Sequence, residues 1–90
     1  MLLTGSAAAE PPLVRQQELR NMLKHDCGSC HGLYLKGGLG PALTPDALAG
    51  KSDALLVKTI RQGRPGTAMP PWQDFLSEDE TLWLIKMLRQ

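Results

Sequence analysis

Cys27-Gly28-Ser29-Cys30-His31 places two thiols three positions apart, with an imidazole directly after the second. This C-x-x-C-H spacing suits the covalent attachment of haem c. The thiols add to two vinyl groups on one porphyrin edge, so they need a short fixed separation. His31 then falls under the iron as its proximal nitrogen ligand. Gly28 and Ser29 are small and let the backbone run close to that edge. Other uses of paired thiols fit less well. A thioredoxin-like C-x-x-C wants a βαβ setting, and no stretch of this chain alternates as strands do. A zinc site built from His25, Cys27, Cys30 and His31 would crowd all four ligands into seven residues, unlike the two separated pairs of structural zinc sites.

The rest of the chain asks for such a group. Its 90 residues make one domain, of which 42% are hydrophobic, with a single Phe and a single Tyr. A domain of this size usually needs a staple beyond its own core. Cys27 and Cys30 are the only cysteines, and a disulfide between them would constrain the unfolded chain little. The formal charge of +1 comes from ten Lys and Arg against nine Asp and Glu, and two haem propionates would bring it to about −1. That balance is no footprint for nucleic acid or for an anionic membrane. No stretch reaches the roughly 20 apolar residues of a membrane-spanning helix. The start, MLLTGSAAAE, ends in small residues like a secretory signal but lacks the charged and apolar parts upstream. Residues 1–10 therefore read as a signal-peptide remnant or an added tail, and 11–90 as the folded domain.

Periodicity predicts helices and no strands. Pro11-Pro12 open a first helix, about Leu13 to His25, with Leu19, Met22 and Leu23 at helical spacing; it delivers Cys27 at its end. Gly28 to Gly40, with Gly32, Gly37 and Gly38 between, read as loop. Thr44-Pro45 start a short turn that Gly50 stops. Ser52 to Gln62 form a further helix ended by Gly63. An irregular stretch, Arg64 to Phe75, carries Pro65, Pro70 and Pro71. Ser77 and Glu80 are spaced as a capping box, and Trp83, Leu84, Met87 and Leu88 then give the last helix a continuous apolar stripe. The expected fold is all-α: about four short helices around one covalent haem, the first and last packed together.

Several further segments carry a resemblance: Gly40-Pro41, Ile60-Arg61-Gln62-Gly63, Met69-Pro70-Pro71 and Leu76-Ser77-Glu78-Asp79-Glu80. With the haem motif they make about Leu13 to Gln90 resemble a class I monohaem cytochrome c of bacterial type. Gly50-Lys51-Ser52 through Met69-Pro70-Pro71-Trp72 bring it closer to the small periplasmic NirC-type cytochromes associated with the haem-cd nitrite reductase. The resemblance implies that Met69 is the second axial ligand and that the Pro41 carbonyl accepts the His31 ring N–H. It also implies that Arg61, which with Arg64 flanks the Met69 loop, neutralises a propionate, the alternative being an exposed helix-end cation; Trp72 is read as packing on the haem or donating to a propionate. Blander readings stand beside these. Met22 and Met87 lie on core stripes, Met69 could be a loop methionine against the haem edge, His25 is a solvated helix-end histidine, Trp83 belongs between helices, and Tyr34 is undecided.

The function that follows is a periplasmic one-electron carrier, not an enzyme, serving denitrification through nitrite reductase or the maturation of its haem. Its partners would be redox proteins met in small transient contacts. The alternative is a haem-based sensor or peroxidase-like enzyme in which a labile Met69 opens the iron to small ligands. A third reading is a maturation subunit whose redox activity is incidental. The expected state is a monomer, with exchange of the Met69-bearing half as a route to a dimer.

Overall fold

The structure is a computed structural model and describes residues 10–90; the expectation of a signal remnant or tail falls almost wholly outside the described residues. α1 (Leu13–Met22) passes without interruption into a π-helical turn (Leu23–Cys27) and on into α2 (Gly28–His31). The chain then loops to α3 (Pro45–Leu48), α4 (Asp53–Gln62) and α5 (Glu78–Leu88), and the described residues include no strand.

The helix predicted to stop at His25 therefore continues through the thiols to His31. Gly28 is buried within it and donates its backbone N–H to Leu23 O. Ser29 Oγ donates to the Asp26 carbonyl at 2.8 Å. Histidine, aspartate, cysteine and glycine are weak helix formers, so propensity argues for a break here. Packing overrides it.

The other helix starts follow their sequence signals. Ser52 Oγ accepts the Leu55 N–H at 3.1 Å. Ser77 Oγ accepts the Glu80 N–H at 3.1 Å, while Glu80 Oε1 accepts the Ser77 N–H at 3.0 Å, so the capping box is complete. Thr44 stands before α3 in extended conformation and makes no side-chain bond; Pro45 begins that turn with its φ already set.

α5 ties the molecule together. Leu84 joins Leu19 and Leu76 in one buried cluster, bordered by Met22, Trp72 and Trp83. Its neighbour Ile85 joins Leu48 and Leu56 in a second, and Ile60 of α4 packs against both. α1 meets α5 across this core. Arg15 Nε donates to Glu80 Oε2 at 2.8 Å, a second Arg15 nitrogen donates to Phe75 O at 2.7 Å, and Arg20 stacks 5.4 Å over the Trp83 ring.

Glu80 thus serves the cap and the interhelical pair at once. Its hydrogen bond from Arg15 holds the carboxyl below the usual carboxylate range. Glu80→Ala is expected to lower stability by about 1–2 kcal/mol at neutral pH, a lost cap plus a partly exposed ion pair. A carboxyl whose pKa is depressed by folding stabilises fully above its unfolded pKa and ceases to as pH falls through the folded value. The gap between parent and variant in urea unfolding should therefore narrow on acidification.

Candidate haem site

Between the helices lies a cavity of about 650 Å³, partly open to solvent and within the range of cofactor sites. Leu56 and Ile60 of α4, Leu84 and Ile85 of α5, and Leu23 and Leu48 give it apolar walls. Cys27, Cys30 and His31 line it from the end of the long helical run, and Met69 and Trp72 line it from the segment between α4 and α5.

His31 is held by a hydrogen bond to its ring. Its Nδ1 lies 2.7 Å from the Pro41 carbonyl. A carbonyl can only accept, so Nδ1 carries the proton and Nε2 keeps its lone pair for a metal. The loop behind the ring is stitched to the helix end by backbone bonds: Gly37 N–H to His31 O at 2.8 Å and Gly40 N–H to Cys30 O at 2.7 Å. Gly40 lies flat on the imidazole, where an added Cβ would stand 2.7 Å from His31 Cε1 and 2.8 Å from Nδ1. Gly40→Ala should push the ring or the loop aside, cost about 1–3 kcal/mol as overpacking does, and perturb the haem absorption bands. A variant matching the parent in both melting and spectrum would show the ring to be free to move.

The Met69 loop is held by its own backbone. Arg64 N–H donates to Met69 O at 3.2 Å, Met69 N–H donates to Thr67 Oγ1 at 3.3 Å, and that hydroxyl donates to Arg64 O at 2.6 Å. Gly63, at φ +72°, makes the turn out of α4, and a Cβ there would meet Met69 O and Pro70 C at 2.8 Å. Trp72 N–H closes the segment onto Ile60 O at 3.1 Å and Arg61 O at 3.2 Å, and its ring meets Phe75 edge-on, 5.9 Å between centroids.

Arg61 is not brought to the cavity. Its Nε donates to Leu76 O at 3.1 Å and a guanidinium nitrogen lies 3.6 Å from Glu78, so it is held on the α4–α5 side. The arginine that lines the cavity is Arg64. Arg61 leaves α4 inside its last turn, where the helix fixes its direction, whereas Arg64 follows the left-handed Gly63 and is turned inward. His25 is exposed and does not line the cavity. Thr59 also borders it, from the face of α4 where helical spacing puts it with Leu55, Leu56 and Ile60, as do Thr67 and Lys51, whose local spacing points to no ligand.

The alternatives to haem lose ground here. Among the described residues no three His, Cys, Asp or Glu side chains gather as a metal site. Burial, with Asp26 and Cys30 nearby, pushes the Cys27 thiol up to about 11, the direction expected of a sulfur set in an apolar wall. An apolar cavity of cofactor size, paired thiols on its wall, a histidine in the right tautomer and a thioether from another segment fit an iron porphyrin.

These features define a small c-type cytochrome domain. Residues 14–86 match the family described as cytochrome C oxidase, cbb3-type, subunit III. The chain is 57% identical to cytochrome c55X of Pseudomonas aeruginosa over 96% of its own length and 72% of that protein. It is 49% identical to cytochrome c55X of Paracoccus denitrificans over 98% of the chain and 86% of that protein. Among solved structures it is similar to the c-type cytochrome NirC, with a TM-score of 0.85 and 57% identity over 88% of this chain and 93% of that one. A 31% identical likeness, TM-score 0.72, covers 79% of this chain but 15% of the dihydro-heme d1 dehydrogenase NirN. The chain belongs to the cytochrome c55X family of NirC-type monohaem cytochromes c, haem c electron carriers linked to denitrification. Among the described residues no helix is long and apolar enough to cross a membrane.

Proposed function

We propose that this chain is a periplasmic one-electron carrier whose haem is bound by thioethers to Cys27 and Cys30 and held axially by His31 and Met69. Bound in the cavity, haem supplies an iron that passes between ferric and ferrous states by one electron. The observation that carries the reading is the His31–Pro41 hydrogen bond, because it presents Nε2 as a ligand before any metal arrives. Met69, which lines the cavity from a loop carrying Pro70 and Pro71, would hold the iron together with His31 and leave it no open position for a substrate. The apolar walls keep the site at low dielectric, and a thioether ligand favours the reduced form. Arg64 borders the cavity and would supply counter-charge for a propionate, and Trp72, which lines the same cavity, would pack on the haem.

Contacts with partners are brief and small, as suits electron exchange. The likeness of part of the dihydro-heme d1 dehydrogenase NirN to this chain supports a partner in the chemistry of haem d1. The test is a redox titration of the purified protein followed by optical spectra, with carbon monoxide then added to the reduced form. Reversible one-electron behaviour and inertness to carbon monoxide are expected. Rapid binding at neutral pH would replace this reading with that of a ligand sensor.

A further inference from the structure

The π-helical turn at Leu23–Cys27 does something for the site that neither the haem motif nor the core explains. On a regular helix each residue turns by about 100°. Counted that way from Leu19, Cys27 lies about 80° away and His31 about 120° away. The full set of Leu19, Met22, Leu23, Cys27, Cys30 and His31 would then spread over about 180°, too wide for one face of one helix. A π turn spends five residues where an α turn spends four, so it absorbs one residue of register. With one residue absorbed, Cys27 and His31 each come within about 20° of Leu19, and the set narrows to about 120°, the width of a core-facing stripe.

The structure has this outcome. Leu19 is buried against Leu76 and Leu84, which themselves line the cavity; Met22, Leu23, Cys27, Cys30 and His31 line it as well. The residues inside the turn, Lys24, His25 and Asp26, are exposed, though Asp26 also borders the cavity. Gly28 N–H reaching back to Leu23 O marks the place where the register is taken up.

We infer that the π turn is a register device: one residue of Lys24-His25-Asp26 is surplus, and absorbing it sets the haem-bearing face in line with the face that α1 buries against α5. Any one of the three is dispensable, because removing it leaves a regular helix with the same stripe. Adding one is not tolerated, because a second surplus residue turns the thiols and imidazole away from the core. The inference rests on the reading of Cys27, Cys30 and His31 as the haem-bearing residues, and the parent protein's own colour tests that separately.

Four variants, made in cells that mature c-type cytochromes, decide it: deletion of His25, deletion of Lys24, insertion of one alanine between Lys24 and His25, and that insertion combined with deletion of Asp26. Attached haem, the near-infrared band of a methionine–iron bond, midpoint potential, far-ultraviolet dichroism and melting temperature are read for each. Both deletions and the compensated variant should keep parent-level haem, the band and the potential, with melting no lower than the parent's. The bare insertion should lose the band and most of the attached haem. Loss of haem or of the band in either deletion variant would overturn the inference by showing that the residue removed, or the widened turn itself, is required. Retention of both in the bare insertion would overturn it by showing that register does not matter.

Discussion

Replacing Cys27 and Cys30 together with serine is expected to give a colourless chain that no longer unfolds cooperatively. Serine keeps the size of the side chain and removes only the sulfur that joins protein to porphyrin. The consequence is large because so little else fills the molecule. Six apolar side chains are buried among the described residues, and five of them line a cavity of about 650 Å³. A sealed void of that size would cost on the order of 15 kcal/mol at the rate measured for core cavities, which matches or exceeds the whole stability of a typical domain. Because the cavity is partly open, water lowers that cost, but water cannot replace the apolar contacts of a porphyrin. Optical spectra and thermal melting by dichroism read both effects. A coloured, cooperatively melting double variant would mean that the axial ligands alone hold the haem.

Met69→Ala should act on the iron while sparing the attachment. The variant is expected to keep its haem, lose the near-infrared sulfur–iron band and bind carbon monoxide when reduced. Its midpoint potential should fall by more than about 100 mV, a modest part of the ~0.8 V that axial ligands span. The sign follows from chemistry: a thioether favours ferrous iron, and a water or a stray nitrogen ligand does so less. Met22→Leu provides the contrast. Met22 also lines the cavity, but from the core stripe of α1, so this near-isosteric change should leave band and potential alone and cost under about 1.5 kcal/mol. Equal effects from both substitutions would remove Met69 from the iron.

Much of this was readable in the chain because the deciding signals are local. The haem motif is five consecutive residues, the capping box of Ser77 and Glu80 spans four, and Ser52 and Gly63 bracket α4 within a few residues of where periodicity places them. What escaped depends on the surroundings. The helix passes through His25-Asp26-Cys27-Gly28, where propensity favours a stop, because Gly28 is buried and Leu23 and Cys27 face the same cavity. Arg61 and Arg64 look interchangeable as cations flanking one loop. Their roles part only when the Gly63 turn is known, which leaves Arg61 on Leu76 and Glu78 and brings Arg64 to the cavity.

The clasp behind His31 is made almost entirely of main-chain atoms: two glycine amides on the Cys30 and His31 carbonyls, and the Pro41 oxygen on the ring. Such a clasp is indifferent to the identity of the side chains it encircles. Leu33, Tyr34 and Lys36, all exposed within it, can be rewritten in the laboratory as an epitope, a dye site or an altered recognition patch, while the nitrogen bound for iron stays where it was.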